Sequence, residues 1–308
     1  MGWRDHVNDV LTRTTGYRLQ RDVAAARRPE RRAVGDLLAG DRLVERPTFI
    51  LCTLRSGSTL LRVLLNSHSE IHAPHELHLR YVRVNLERKW AQGAMKELGL
   101  DEHALEHLLW DRVLHRELSA SGKRLIVDKT PNNTFIADRL KACWPDARFI
   151  FLLRHPGSIA RSRQAYRADD EDAREDNVAL IKRYCEALER ARQAHEGQTV
   201  RYEELTADPA AVTRELCAFL GVPWEADMLD YGRHDHGRYR VGLGDWAEKI
   251  RTGSVQPPEP PPAPEEVPEA LRPIAERWGY LPATSSSPSG GSGSGSGVAG
   301  AAGGAAGG

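Results

Sequence analysis

Arg55-Ser56-Gly57-Ser58-Thr59 places a cation, hydroxyls and a glycine in consecutive positions. The apolar run Phe49 to Leu54 precedes it, and Leu60, Leu61, Val63, Leu64 and Leu65 follow at helical spacing. A buried strand feeding a helix through such a turn aims backbone N–H groups at a phosphate-sized anion. The pattern departs from the nucleoside-triphosphate loop G-x-x-x-x-G-K-[ST]. Gly57 stands at its second glycine, Ser58 where its lysine belongs and Cys52 where its first glycine belongs. Without that lysine the loop suits a 5′-phosphate carrying something other than a Mg-bound triphosphate. The plainer alternative is a serine-rich turn that caps a helix.

Two further strand ends carry polar groups. Leu125-Ile126-Val127 leads to Asp128-Lys129-Thr130-Pro131-Asn132-Asn133, and Arg148 to Leu153 leads to Arg154-His155-Pro156-Gly157-Ser158. Parallel α/β folds place their chemistry at the carboxyl ends of strands. Arg154 offers a planar fork of donors to a phosphate. Ser162, two helical turns on, presents a hydroxyl to the same group. Lys129 stands at a strand end and, on its own, reads as a solvated lysine. Glu76, on its own, reads as a carboxylate at a helix N-terminus. His75 and His78 flank it, and an ordinary imidazole titrates near neutral pH. His68, His72, His75 and His78 cluster, but Pro74 breaks their spacing and no cysteine joins them, so no metal site is expected.

The elements that must position these groups alternate strand and helix. Strands are expected at 49–54, 125–127, 148–153 and 198–202, with Tyr202 closing the last. Helices are expected after Gly57, from about Glu76, within 80–120, through Ile136, Leu140 and Trp144 (capped by Asn132 or Asn133), through Ile159, Ser162 and Tyr166, from about Val178 to Ala194, from Pro209 to Leu220 with Gly221 as C-cap, and from Pro268 to Trp278. Residues 169–176 read as an acidic connector, and the chain from Asp230 as loop. The alternation predicts an α/β, P-loop-like three-layer fold with a central, mainly parallel sheet flanked by helices. Residues 1–46 read as a helical N-terminal extension, 47–281 as one domain with a Pro-rich spacer at 255–266, and 282–308 as a disordered Gly/Ser/Ala tail.

The totals narrow the function classes. Lys+Arg and Asp+Glu are both 43 in 308 residues, so no global field points to nucleic acid or an anionic membrane. Cys52, Cys143, Cys185 and Cys217 lie far apart, with no C-x-x-C, which fits a reducing compartment. The first residues, Met1-Gly2-Trp3-Arg4-Asp5-His6, lack the apolar core of a signal peptide, and no run reaches the length of a membrane span. A cytoplasmic protein is expected.

With these residues in place, the chain resembles the sulfotransferases that use 3′-phosphoadenosine 5′-phosphosulfate (PAPS) and release 3′,5′-ADP. Arg55 to Leu61 is similar to their 5′-phosphosulfate loop, implying nucleotide contacts from Arg55, Ser56, Gly57, Ser58, Thr59 and Leu60. Arg154 with Ser162 resembles their 3′-phosphate site. Lys129 stands in the place of their strand-end lysine, and Glu76, twenty-one residues after Arg55, resembles the glutamate base of tyrosylprotein sulfotransferases. The histidine base of the cytosolic enzymes belongs to a K-T-H context, and Pro131 here follows Lys129-Thr130. Glu76 is therefore the expected base, with His75 and His78 as candidates. Tyr202 resembles an aromatic against the adenine. Lys249, Arg251, Thr252 and Gly253 resemble the late basic-Gly loop over the 3′-phosphate, although the usual Arg-Lys-Gly is absent.

The resemblance implies metal-free transfer of a sulfuryl group to a hydroxyl. Pro74 to Leu79 is similar to the Pro-x-Glu-Leu-x-Leu stretch of bacterial members acting on secondary metabolites or carrier-bound hydroxyls. A small-molecule, lipid, sugar or carrier-bound acceptor is expected. The rival readings are a P-loop-type phosphotransferase or NTPase, and a non-catalytic 3′-phosphonucleotide-binding protein.

Overall fold

The computed structural model describes residues 42–166, 173–236, 250, 252–257 and 259–283. The described residues fall into two compact units. The first comprises those up to Arg154 and from Arg183 to Glu259; the second comprises those of His155–Lys182 and from Pro260 onward.

The first unit is built on a five-stranded sheet: β1 (Thr48–Cys52), β2 (Ile71–His72), β3 (Leu125–Lys129), β4 (Arg148–Leu153) and β5 (Gln198–Arg201). Their order is β2-β3-β1-β4-β5, and every pairing is parallel. All of β1 is buried, as a central parallel strand covered on both faces requires. Its side chains alternate between two cores. Ile50 and Cys52 join Val127, Ile150 and Leu152 against Leu61 and Leu64 of helix α1 (Ser58–Asn66). Leu205 of α7 (Tyr202–Ala207) and Leu216 and Leu220 of α8 (Pro209–Leu220) complete that layer. Phe49 lies toward the opposite layer, 5.5 Å from the Trp144 ring and 6.3 Å from Phe149. Each such fully buried side chain stabilises by about 1.5–3 kcal/mol relative to exposure.

Helices α2 (Lys89–Glu97), α3 (Glu102–Ser121) and α4 (Ala137–Cys143) lie between β2 and β4 in sequence. Trp144 is pinned through its indole, which donates to Asp111 of α3 at 3.0 Å. Asp111 also accepts the backbone N–H groups of Leu43 and Val44, so the chain is tied to this domain before the strand begins. The expectations at 1–41 and 284–308 lie outside the described residues.

The second unit holds α5 (Pro156–Tyr166), the early part of α6 (Ala173–Ala194) and α9 (Arg272–Arg277). The His155 ring accepts the Gly157 N–H at 3.1 Å and so caps α5. Val267, Leu271, Ile274, Ala275 and Trp278 are buried.

Several local expectations need correction. Ile71–His72 is a two-residue edge strand, too short to register as a periodic apolar run. No helix starts at Glu76. A 3₁₀ turn at Leu79–Tyr81 follows instead, because His78 is held at φ +52°, outside the right-handed helical region, while the Leu77 and His78 N–H groups donate to the Thr130 hydroxyl. Asn133 caps nothing: its amide donates to Asp128, and Pro131–Ile136 is a 3₁₀ segment before α4. Tyr202 opens α7, since β5 ends at Arg201. The last helix begins as 3₁₀ at Glu269–Leu271, and the Pro-rich spacer holds another 3₁₀ turn at Pro264–Glu266. The Gly221 C-cap is as expected, with φ +74°.

All four cysteines are free and buried. Burial pushes the Cys52 and Cys217 thiols up to about 11, and those of Cys143 and Cys185 up to about 12. The native protein should therefore show no fast-reacting thiol toward a disulfide reagent at pH 8, and four after unfolding. A thiol that titrates within the mixing time of the native protein would contradict this packing.

Candidate active site

Three consecutive strand ends converge in the first unit. β1, β3 and β4 are neighbours, with Ile50 opposite Lys129 and Cys52 opposite Leu152. The loop after β1, Lys129 at the end of β3 and Arg154 just after β4 therefore lie along one edge of the sheet, at strand spacings of about 4.8 Å.

The loop is shaped by two left-handed residues, Arg55 at φ +62° and Gly57 at φ +84°. Left-handed residues within a turn draw successive N–H groups toward one concavity, the geometry of an anion nest. Arg55 is an uncommon residue to hold positive φ, and such strain is retained where the surroundings over-determine it. Part of that framing is visible. The Ser56 hydroxyl donates to the Thr53 carbonyl at 2.8 Å, and Arg154 Nη1 donates to the Arg55 carbonyl at 2.8 Å. Gly57 precedes α1 without a capping side chain. A Cβ on Gly57 would sit 2.2 Å from the Tyr202 ring, so only glycine lets that ring close over the loop.

Arg154 is the link between loop and ring. Its guanidinium carbon stacks 4.3 Å from the Tyr202 centroid. Its Nε is buried with no hydrogen-bond partner among the described residues. A buried, unsatisfied Nε donor on a half-buried arginine beside a nest fits an anionic group.

Lys129 and Glu76 form a buried ion pair, Nζ to Oε1 at 2.6 Å, with the two residues 1% and 8% exposed. His78 Nε2 lies 3.4 Å from the other Glu76 oxygen, and His78 itself holds φ +52°. His75 is exposed, with its Nδ1 on the Glu76 carbonyl at 3.0 Å. The segment carrying Glu76 is anchored from behind. Thr130 Oγ1 accepts the Leu77 N–H at 3.1 Å and the His78 N–H at 3.3 Å, and donates to Asp128 at 3.0 Å. Asn133 donates to the other Asp128 oxygen at 2.7 Å. Burial pushes the Asp128 carboxyl above its ordinary range, opposed by those two hydrogen bonds. The sequence reading did not assign Asp128, Thr130 or Asn133. Their only signal was position beside Lys129 at a strand end.

The remaining expected residues are placed as follows. Ser58 and Leu60 are buried in the first turn of α1, and Thr59 is half-buried there. Ser162 is half-buried on α5, in the second unit. Lys249 and Arg251 lie outside the described residues. The Thr252 hydroxyl donates to the Ser254 carbonyl, and Gly253, at φ +75°, packs its backbone on Gly232. The four histidines have separate partners: His68 on the Pro223 carbonyl, His72 near Glu117 and His78 at Glu76, with His75 turned to its own segment. Among the described residues no group of His, Cys, Asp and Glu could hold a metal ion, and no helix is long and apolar enough to cross a membrane.

Comparison with known proteins bears on the family and the fold. The chain is 34% identical over 125 residues to the nodulation protein NoeE of Sinorhizobium fredii, covering 37% of this chain and 30% of that protein. It is 24% identical over 196 residues to protein-tyrosine sulfotransferase 1 of Danio rerio, covering 58% and 53%. The chain thus spans about half or less of the length of these relatives. Among solved structures, the sulfotransferase domain from the curacin biosynthetic pathway matches with a TM-score of 0.54 at 24% identity, covering 77% of this chain and 99% of that domain. The sulfotransferase domain of the Synechococcus PCC 7002 olefin synthase matches with a TM-score of 0.53, also at 24% identity, covering 77% and 95%. Both support the α/β fold. A model described as the sulfotransferase family matches residues 47–226, from the residue before β1 to beyond α8. Because that match takes in more than half of the chain and all three strand ends of the site, the chain belongs to the sulfotransferase family.

Proposed function

We propose that the protein transfers a sulfuryl group from PAPS to a hydroxyl acceptor, with Glu76 as the base. The observation that carries this reading is the Lys129–Glu76 contact at 2.6 Å beside the loop after β1. It brings a cation and a carboxylate to one strand end. In-line transfer needs those two charges, one at the departing oxygen and one at the incoming hydroxyl.

The donor, when bound, supplies an activated sulfuryl group on a phosphate leaving group. The residues from Arg55 to Leu60 are assigned to the 5′ side of the nucleotide, through the nest and the start of α1. Arg154 is assigned to the 3′-phosphate, with its Nε donor, and Tyr202 to the base. Ser162, Lys249, Arg251, Thr252 and Gly253 are assigned to the nucleotide by sequence resemblance alone. Lys129 neutralises charge on the leaving phosphate. Glu76 Oε2 takes the proton of the attacking hydroxyl, with His78 as its neighbour and His75 further out. The acceptor is a small-molecule, lipid, sugar or carrier-bound hydroxyl. The sulfotransferase domains from curacin and olefin biosynthesis, which share the fold, lend support to that range.

Calorimetry tests the donor. Metal-free 3′,5′-ADP should bind at least tenfold more tightly than 5′-ADP, and Arg154→Ala should remove that preference, since a charge-assisted hydrogen bond is worth about 1.5–3 kcal/mol. Tight binding of Mg-ATP with no 3′-phosphate preference would move the protein to the phosphotransferase reading.

Gly57→Ala tests the loop. It forces an alanine into the left-handed region, at about 1–2 kcal/mol, and displaces the Tyr202 ring. Affinity for 3′,5′-ADP should fall at least tenfold in the same titration. An unchanged affinity would show that neither the loop conformation nor the ring matters to the nucleotide.

Glu76→Gln tests the base. Release of 3′,5′-ADP from PAPS in the presence of hydroxyl acceptors should slow by about 10²–10⁴-fold. Removing one partner of a buried pair also destabilises by about 3–5 kcal/mol, and a Glu76→Gln/Lys129→Met double variant should recover much of that in thermal unfolding. Stability loss with unchanged turnover would reduce Glu76 to a structural counter-ion of Lys129.

A further inference from the structure

The arginines around the candidate base divide into two kinds. Arg83 and Arg139 are both neutralised by the buried carboxylate of Glu106. Arg80 and Arg183 are different. Each places its guanidinium carbon near the Phe135 ring, at 4.9 Å and 5.1 Å from the centroid. Among the described residues neither has a carboxylate or carbonyl partner; the contacts they make are with aromatic rings. Stacking on a ring face occupies the plane of a guanidinium and leaves its edge N–H donors pointing outward.

Placement gives these two cations a role. Phe135 belongs to the 3₁₀ segment that directly follows Lys129 and Thr130. Its ring meets Tyr184 edge-on at 4.5 Å, and the Tyr184 hydroxyl donates to Asn132 of the same segment at 2.8 Å. On the other side, Arg80 lies 5.9 Å from the Tyr81 ring, which is 62% exposed and 6.3 Å from the His78 ring. His78 in turn touches Glu76. A continuous surface therefore runs from the Glu76 carboxylate through His78 and Tyr81 to a Phe135 platform flanked by two guanidiniums. Two like charges sharing one ring repel one another, and an anion between or across them removes that repulsion.

We propose that Arg80 and Arg183 form an acceptor subsite for an anionic group, a phosphate or a carboxylate, carried by the hydroxyl compound that reaches Glu76. The subsite rests on the reading of Glu76 as the base. It restricts the acceptor class: the hydroxyl partner bears a negative charge a short distance from its nucleophilic oxygen, and the aromatic platform packs against the linking atoms. Arg80 fixes that charge from the side of the base, and Arg183 from α6.

The test uses paired alcohols on protein saturated with 3′,5′-ADP, read by ligand-observed NMR titration. Glycerol 3-phosphate is compared with glycerol, and 4-hydroxybutyrate with butane-1,4-diol. The anionic member of at least one pair should bind tenfold or more tightly than its neutral partner, and the better pair identifies phosphate or carboxylate as the preferred group. The Arg80→Gln/Arg183→Gln variant should bring that pair to parity while its affinity for 3′,5′-ADP stays as in the wild type. Parity in the wild type for both pairs, or a preference that survives in the double variant, would overturn the subsite. Failure of the donor reading is separately visible as absence of 3′,5′-ADP binding, and the anion preference can then be read on the nucleotide-free protein with the same variant as control.

Discussion

The constraint on which the site depends is the burial of Lys129. A lysine that is 1% exposed needs an anion at hydrogen-bond distance, because an unpaired charge in the interior is costly. Glu76 meets that need at 2.6 Å. The pair is then useful only if its geometry is fixed, since desolvating both charges offsets much of their attraction. Fixing it falls to Thr130, the residue after Lys129. Its hydroxyl accepts the two N–H groups that follow Glu76, so the strand holding the lysine also holds the segment bearing the carboxylate. Asp128 and Asn133 complete the network from the other side. The distance between the two charges is thus set within one short stretch, from the end of β3 into the 3₁₀ segment after it.

Sheet order does the rest. With β1 central and β3 and β4 as its neighbours, residues around 55, 129 and 154 become adjacent although they are far apart in sequence. Parallel pairing puts all three at the carboxyl edge, and the short positive-φ turn after β1 lets the loop fold back across that edge. Arg154 bonds the Arg55 carbonyl and stacks on Tyr202, so the loop, the β4 end and the start of α7 are locked to one another before any ligand is considered.

Much of this was legible in the chain. Continuous apolar runs at Phe49, Leu125 and Arg148 announced strands buried on both faces, and the polar groups behind each run announced a site at their ends. The edge strand at Ile71–His72 was not legible, because two residues carry no period and their pairing to β3 is a tertiary event. The helix expected at Glu76 failed for a related reason. His78 is held in the left-handed region, where its N–H and that of Leu77 bond a side chain fifty-two and fifty-three residues away, which no local propensity encodes. Tyr202 was assigned to the end of the fourth strand, and it opens α7 instead. The close approach of its ring to Gly57 is set by the packing of α7, while the glycine that permits it stood in plain view. The nucleotide roles expected of Lys249 and Arg251 lie outside the described residues.

The position of the lysine explains why the carboxylate lies where it does. In the G-x-x-x-x-G-K-[ST] loop the cation sits on the turn itself, next to the phosphates it binds. Here Ser58 holds that place and the cation has moved one strand over, to the end of β3. A lysine on a turn is solvated and needs no partner; a lysine on a strand in the interior needs one at all times. Supplying that partner brings Glu76 into the interior beside the loop, with one oxygen on Lys129 and the other facing His78. The carboxylate and the cation therefore arrive together, as the two halves of one electrostatic requirement.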